Sequence, residues 1–192
     1  LSSYRQVMVL GIGKASARMA SAMESLLDED LTSGFVITKY GHGLDLRKVK
    51  VHEAGHPVPD ENSLKGARIL TDMARAADEH TLIIHLISGG GSSLFCLPAD
   101  GISLDHKRRT TQALLASGAG IDEVNCVRKH LSKVKGGGLA RIASPARLIN
   151  LILSDVIGDR IDTIASGITA PDPTTFQDAL SIVHRYGLDG RL

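Results

Sequence analysis

Tryptophan is absent from this 192-residue sequence, and aromatic residues make up only 3% of it. With so few rings, a core has to be built from Leu, Ile, Val and Ala. The 43% hydrophobic content supplies enough of them for one large α/β domain or two small ones. Cysteine is scarce as well. Cys96 and Cys126 form no C-x-x-C and no paired spacing, so they read as reduced thiols of an intracellular, cytoplasmic protein. No apolar run approaches the ~20 residues of a membrane-spanning helix, and no secretory leader is visible. Neither sign of charge dominates. A net charge of +1 favours a small-molecule partner as much as a nucleic acid or a membrane. The histidines lack a metal-ligand spacing such as H-E-x-x-H. No G-x-S-x-G elbow is present to support a serine hydrolase. The chain opens at Leu1 with no Met and closes soon after a helical pattern, so truncation at both ends is expected.

What the sequence does contain is glycine, 20 residues in clusters, and a regular alternation of strand and helix patterns. Strand-like runs stand at Val7–Leu10, Phe35–Thr38, Val49–Ala54, Leu82–Ile87 and Leu148–Leu153. The run at Leu82–Ile87 is apolar throughout, as in strands buried on both faces, and His85 within it is expected to be a satisfied core residue. Helical spacing marks Ala15–Leu27, a segment from Asp60 or Glu61 through Ala77, Leu104–Ser117, Ile121–Leu131 and Asp178–Tyr186. Ser103 is a plausible N-cap. Between them, Gly55–Asp60 carries two prolines and reads as a loop. This alternation predicts one doubly wound, Rossmann-like domain: a largely parallel sheet with helices on both faces.

In such sheets ligands bind beyond the carboxyl ends of the strands, and three strand ends here carry unusual loops. The sharpest is Ser88-Gly89-Gly90-Gly91-Ser92-Ser93. Its glycines let backbone N–H groups approach an anion, its serines add hydroxyls, and a helix beginning near Ser92 would add its dipole. The alternative is a surface turn. Gly11-Ile12-Gly13-Lys14-Ala15-Ser16 has the start of a dinucleotide fingerprint, but Ser16 replaces the third glycine. Lys39, not an acid, follows the second strand. Lys14 at a helix N-terminus opposes the helix dipole, which points either to an anionic ligand or to a solvated side chain. Asp155 and Asp159, in Ser154–Asp159, suit Mg²⁺ binding or proton acceptance on one reading and turn chemistry on the other. The basic run Arg128–Lys135 suits a polyphosphate or a solvated helix face. His56 is a weaker candidate for substrate contact.

Taken in order, these loops resemble the N-terminal domain of the glycerate 2-kinase family. The resemblance rests on Gly11–Ala15, Thr38–His42, Glu53–Asp60, Ser88–Ser92, Asn125–Ser132, Lys135–Gly137, Ser154–Asp159 and Ala170–Thr175, and it covers nearly the whole chain. It implies ATP-dependent, Mg²⁺-assisted phosphorylation of D-glycerate to 2-phosphoglycerate. It also implies a smaller C-terminal domain of the MOFRL type outside residues 1–192. Members of the family are often labelled hydroxypyruvate reductases. By resemblance, Lys14 and Asp155 are catalytic, Asp155 and Asp159 are candidates for Mg²⁺, and Ser88 through Ser93 cradle phosphate or carboxylate. Arg128, Lys133 and Lys135 offset the remaining negative charge. Ser166-Gly167-Ile168-Thr169 departs from the family's Ser-Gly-Pro-Thr, which leaves that loop's rigidity and ligand contacts in question. A homodimer is one assembly compatible with this reading. Two alternatives stay open: an NAD(P)H-dependent hydroxypyruvate reductase, and a non-catalytic domain that binds a phosphorylated ligand.

Overall fold

A computed structural model describes residues 1–190. Five strands, β1 (Gln6–Ile12), β2 (Ser33–Lys39), β3 (Val49–Ala54), β4 (Thr81–Ser88) and β5 (Arg147–Leu153), form one sheet in the order β3-β2-β1-β4-β5. Every pairing is parallel. The helices are α1 (Ser16–Leu27), α2 (Glu61–Arg75), α3 (Gly91–Leu94), α4 (Leu104–Ala116), α5 (Ile121–His130), α6 (Gly138–Ala143) and α7 (Phe176–Arg185). Short 3₁₀ turns occupy Asp28–Asp30 and Ile164–Ser166. None of the described helices is long and apolar enough to cross a membrane.

The local chemistry explains several boundaries. Asp60 caps α2 by accepting the Ser63 N–H at 2.8 Å, and Ser103 caps α4 through the His106 N–H at 3.0 Å. Thr175 caps α7, which therefore starts two residues ahead of the Asp178 expected from sequence. Buried Glu24 on α1 accepts the N–H groups of Arg47, Lys48 and Val49 at 2.8, 3.0 and 3.2 Å, fixing where β3 begins.

The two sheet faces bury different sets of side chains. Met8, Leu10, Ile12, Phe35, Ile37, Ile83 and Ile87 pack under α2, α3 and α6. Val7, Val9, Val36, Ile84 and Leu86 pack under α1. Each fully buried aliphatic contributes about 1.5–3 kcal/mol. A third, smaller cluster joins α4, α5 and α7 through Leu114, Val124, Val127, Ala179 and Ile182.

Two expectations need correction. The apolar run Leu148–Leu153 reads as a buried strand, but β5 is the sheet edge. Its α1-side residues Ile149, Leu151 and Leu153 are 45%, 40% and 57% exposed, because α1 packs on β1, β2, β3 and β4 rather than on β5. His85 is buried but only half satisfied: Nδ1 lies 3.3 Å from Asn150 Oδ1, while Nε2 has no partner among the described residues. Burial holds its pKa down at about 4, so the ring is neutral near pH 7.

Candidate functional site

The strand order reverses between β1 and β4, so the crevice of a doubly wound sheet falls where the loops after these strands meet. They meet closely. Gly13 has φ +121°, and a Cβ there would lie 2.5 Å from the Ser88 carbonyl oxygen, so only glycine lets the two loops touch. The Lys14 N–H donates to the Gly89 carbonyl at 2.9 Å, and the Ala15 N–H donates to Ser88 Oγ at 3.0 Å. The Gly13 and Ser16 N–H groups donate to Ile37 and Gly13 carbonyls, respectively. The amides that greet a pyrophosphate in a dinucleotide fold are therefore spent inside the protein.

On the Gly-rich turn the situation is the reverse. Gly90 has φ +86° and caps the short α3, and the Gly91 and Ser92 N–H groups have no acceptor among the described residues. Ser93 closes the turn by donating its hydroxyl to the Gly90 carbonyl at 3.1 Å.

Charged groups gather above this turn. Lys14 Nζ lies 3.9 Å from Asp155 Oδ2, with the two side chains 42% and 64% exposed. Asp155 sits where a Gly89 side chain would be, and a Cβ on Gly90 would meet both the His56 ring and the Lys14 stem. Burial, then the charges of Lys14 and Lys39, lower the pKa of His56, so its ring is neutral near pH 7. Much of the surrounding sequence serves to hold Lys14. Its carbonyl accepts from Thr38 Oγ1 at 3.3 Å and lies 3.0 Å from His42 Nδ1, while Glu53 accepts the His42 and Gly43 N–H groups.

Behind the turn lies a different environment. Arg128 and Lys135, both from the basic run, meet there with Lys107 and Arg108 of α4, two residues that the loop motifs do not include. Lys135 Nζ donates to the Ser92 carbonyl at 2.8 Å and Ser92 Oγ at 3.1 Å, and Ser92 Oγ is 2.6 Å from Ser166 Oγ. Lys107 Nζ donates to the Arg128 and Leu131 carbonyls at 3.4 and 3.1 Å. Burial pulls the Lys107 pKa down to about 8, and burial with the neighbouring cations holds Lys135 well below its ordinary value.

Other members of the expected set fall elsewhere. Lys133 turns outward to pair with Asp100, and Lys129 is buried against Asp172 at 3.2 Å. Asp159, exposed and with φ 49°, borders a separate depression with Ile152, Ser154, Ile161 and Ile164. Ser88 is buried as a scaffold for the Lys14 loop. Ile168, in place of the family's proline, fills the core, and its carbonyl accepts the Leu139 N–H at 3.0 Å. No group of three or more His, Cys, Asp or Glu side chains positioned for a metal occurs among the described residues. A site of one or two carboxylates completed by phosphate oxygens and water, the usual manner of Mg²⁺, fits Asp155.

Comparison with known proteins agrees with this architecture. The chain is 47% identical over 185 residues to a D-glycerate 2-kinase of Thermotoga maritima, covering 96% of this chain and 44% of that one. It is 50% identical over 183 residues to a glycerate 2-kinase of Pyrococcus horikoshii, covering 95% and 41%. A relative from Agrobacterium vitis, 50% identical over 182 residues (95% and 42% coverage), carries hydroxypyruvate reductase in its name. The crystal structure of Thermotoga maritima glycerate kinase superposes with a TM-score of 0.93 at 47% identity, over 96% of this chain and 45% of that one. The chain thus spans less than half the length of these relatives. The model of a domain of unknown function, DUF4147, matches residues 1–192, and the chain belongs to that family.

Proposed function

We propose that this chain is the N-terminal catalytic domain of a kinase that transfers the γ-phosphoryl group of ATP to the 2-hydroxyl of D-glycerate, giving 2-phosphoglycerate. The observation that carries the reading is the placement of Lys14 and Asp155, 3.9 Å apart, against Gly89 and Gly90 of the Gly-rich turn at the point where the strand order reverses. The names of the relatives support the substrate class.

Phosphoryl transfer asks mainly for positioning and charge neutralisation. The Gly91 and Ser92 amides supply fixed donors for a phosphate oxygen, at no reorganisation cost. Lys14 supplies a mobile positive charge for the transferring group. The substrate hydroxyl oxygen forms the new P–O bond as the bond to the ADP oxygen breaks. Asp155 orients that hydroxyl and takes its proton. When bound, Mg²⁺ would neutralise charge between the β- and γ-phosphates, with Asp155, and Asp159 if its loop turns inward, as the carboxylates able to hold it. Both cysteines are buried free thiols, in keeping with a cytoplasmic setting.

The hydroxypyruvate reductase alternative is weakened by the amides of the Gly11–Ser16 loop, which are already bonded within the protein. Two assays on the intact protein separate the readings: ADP release with D-glycerate, and NADPH oxidation with hydroxypyruvate. The kinase reading expects the first signal and not the second, and the converse result overturns it.

A further inference from the structure

The cavity behind the Gly-rich turn, about 260 Å³ in volume, is walled by the Pro57–Pro59 segment, Ser92, Cys96 and the stems of Lys107, Arg108, Arg128 and Lys135. Four cations meet in it, and none of them has a carboxylate within ion-pairing distance among the described residues. Their hydrogen bonds go to neutral acceptors. Lys135 and Lys107 bond carbonyls and a hydroxyl, Arg128 reaches Asn125 Oδ1 and the Ser92 carbonyl at 3.4 Å each, and Arg108 Nε donates to the Pro59 carbonyl. Neutral acceptors satisfy N–H groups but do not cancel charge. The terminal guanidinium nitrogens of Arg108 have no acceptor among the described residues.

Burying unpaired charge is costly and is tolerated where a counter-charge arrives. Lys107 and Lys135 are 5% and 2% exposed, so that counter-charge cannot be bulk salt held loosely at a surface. The volume suits a molecule of a few heavy atoms, and the apolar wall of Pro57, Val58 and Leu115 suits a short carbon skeleton. The cavity also adjoins the crevice. His56, which faces Lys14, is followed directly by Pro57, and Ser92 is part of the Gly-rich turn itself.

We propose that this cavity binds a small organic acid through its carboxylate, with Lys107 and Arg108 as members of the site alongside Arg128 and Lys135. Resting on the kinase reading, the acid is the phosphoryl acceptor, held so that its hydroxyl points past Ser92 toward Lys14 and Asp155. The carboxylate takes the guanidinium of Arg108 or Arg128 as a bidentate donor.

Calorimetric titration of the intact protein without nucleotide tests this. D-glycerate is expected to bind, and glycerol, which lacks the carboxylate, is not. Lys107→Met and Arg108→Leu each weaken D-glycerate at least tenfold while leaving the Kd for MgATP within about twofold. Should Lys107→Met fail to fold, Arg108→Leu at the rim, bonded only to the Pro59 carbonyl, still decides the matter. Unchanged D-glycerate affinity in a folded Arg108→Leu protein overturns the proposal. So does binding of inorganic phosphate with none of D-glycerate, which would make the cavity a phosphate site. The kinase reading fails separately: if D-glycerate binding depends on Arg108 but no ADP is released, the cavity assignment stands and the transfer chemistry falls.

Discussion

Lys14 and Lys135 both approach the Gly-rich turn, from opposite sides and in opposite settings. Lys14 stands in an open crevice, 42% exposed, with Asp155 facing it at 3.9 Å. Lys135 is itself buried, at the wall of a cavity it shares with other cations, bonded to carbonyls, with no carboxylate near. The open setting lets a charge move with a reacting group, and the buried one fixes a charge in place at a cost to the fold. In the proposed reaction the first suits the transferring phosphoryl group and the second suits an unchanging anion. The turn between them, Ser88–Ser93, is shared structure: Gly89 and Gly90 lie against the crevice and Ser92 lines the cavity.

The largest expected effect breaks the open side. Lys14→Ala should leave the fold intact and lower kcat/KM of the intact protein about 10²-fold or more, the scale for losing one charge contact in the transition state. Near-normal turnover in the folded variant would remove Lys14 from the chemistry. Next comes the joint between the loops. Gly13→Ala forces φ +121° on an L-residue and drives a Cβ to 2.5 Å from the Ser88 carbonyl oxygen, so a loss of about 2–4 kcal/mol is expected in urea unfolding. A variant as stable as the parent would show that the two loops separate freely.

The buried side predicts a pH effect. Lys107 faces Cys96, Arg128 and Lys135 across the cavity and Arg108 on its own helix. Its folded pKa of about 8 lies below the ordinary 10.5, so between these values the folded protein holds fewer protons than the unfolded chain. Stability should therefore rise with pH across that window, by up to roughly 3 kcal/mol, the penalty being fully present below pH 8. Lys107→Met should reduce the rise, and what remains belongs to Lys135, whose pKa is also held well below its ordinary value. A rise undiminished in the variant would remove Lys107 as a source. The smallest effect is expected at Lys133, whose partner Asp100 is on the surface. Lys133→Ala should change stability by less than about 1 kcal/mol and leave kcat/KM within a factor of about two.

Much of the crevice was legible because its chemistry is local. Glycines directly after apolar strands, a lysine misplaced for helix stability and an aspartate in a Gly-containing loop each signal their setting within a few residues. The cap at Ser103 follows for the same reason. The cavity was half legible. Arg128 and Lys135 stand in a visible basic run, but Lys107 and Arg108 sit in a helix whose charges look solvated. One signal was present: Lys107 falls three residues after Leu104 and seven before Leu114, on the buried side of α4. Reading the charge pattern without the helical period hides it. Lys133 shows the converse error, since proximity in sequence to Lys135 says nothing about direction, and at this turn the two point apart. The exposure of β5 was not legible, because an apolar run specifies a strand and not what covers it.

The proposed reaction is phosphoryl transfer from ATP to the 2-hydroxyl of D-glycerate. The most direct measurement is phosphorus NMR of the intact protein with MgATP and D-glycerate. A new phosphomonoester resonance that matches 2-phosphoglycerate and grows as ADP accumulates is the result predicted. ATP left unconsumed in the presence of D-glycerate, with a folded protein, would contradict it.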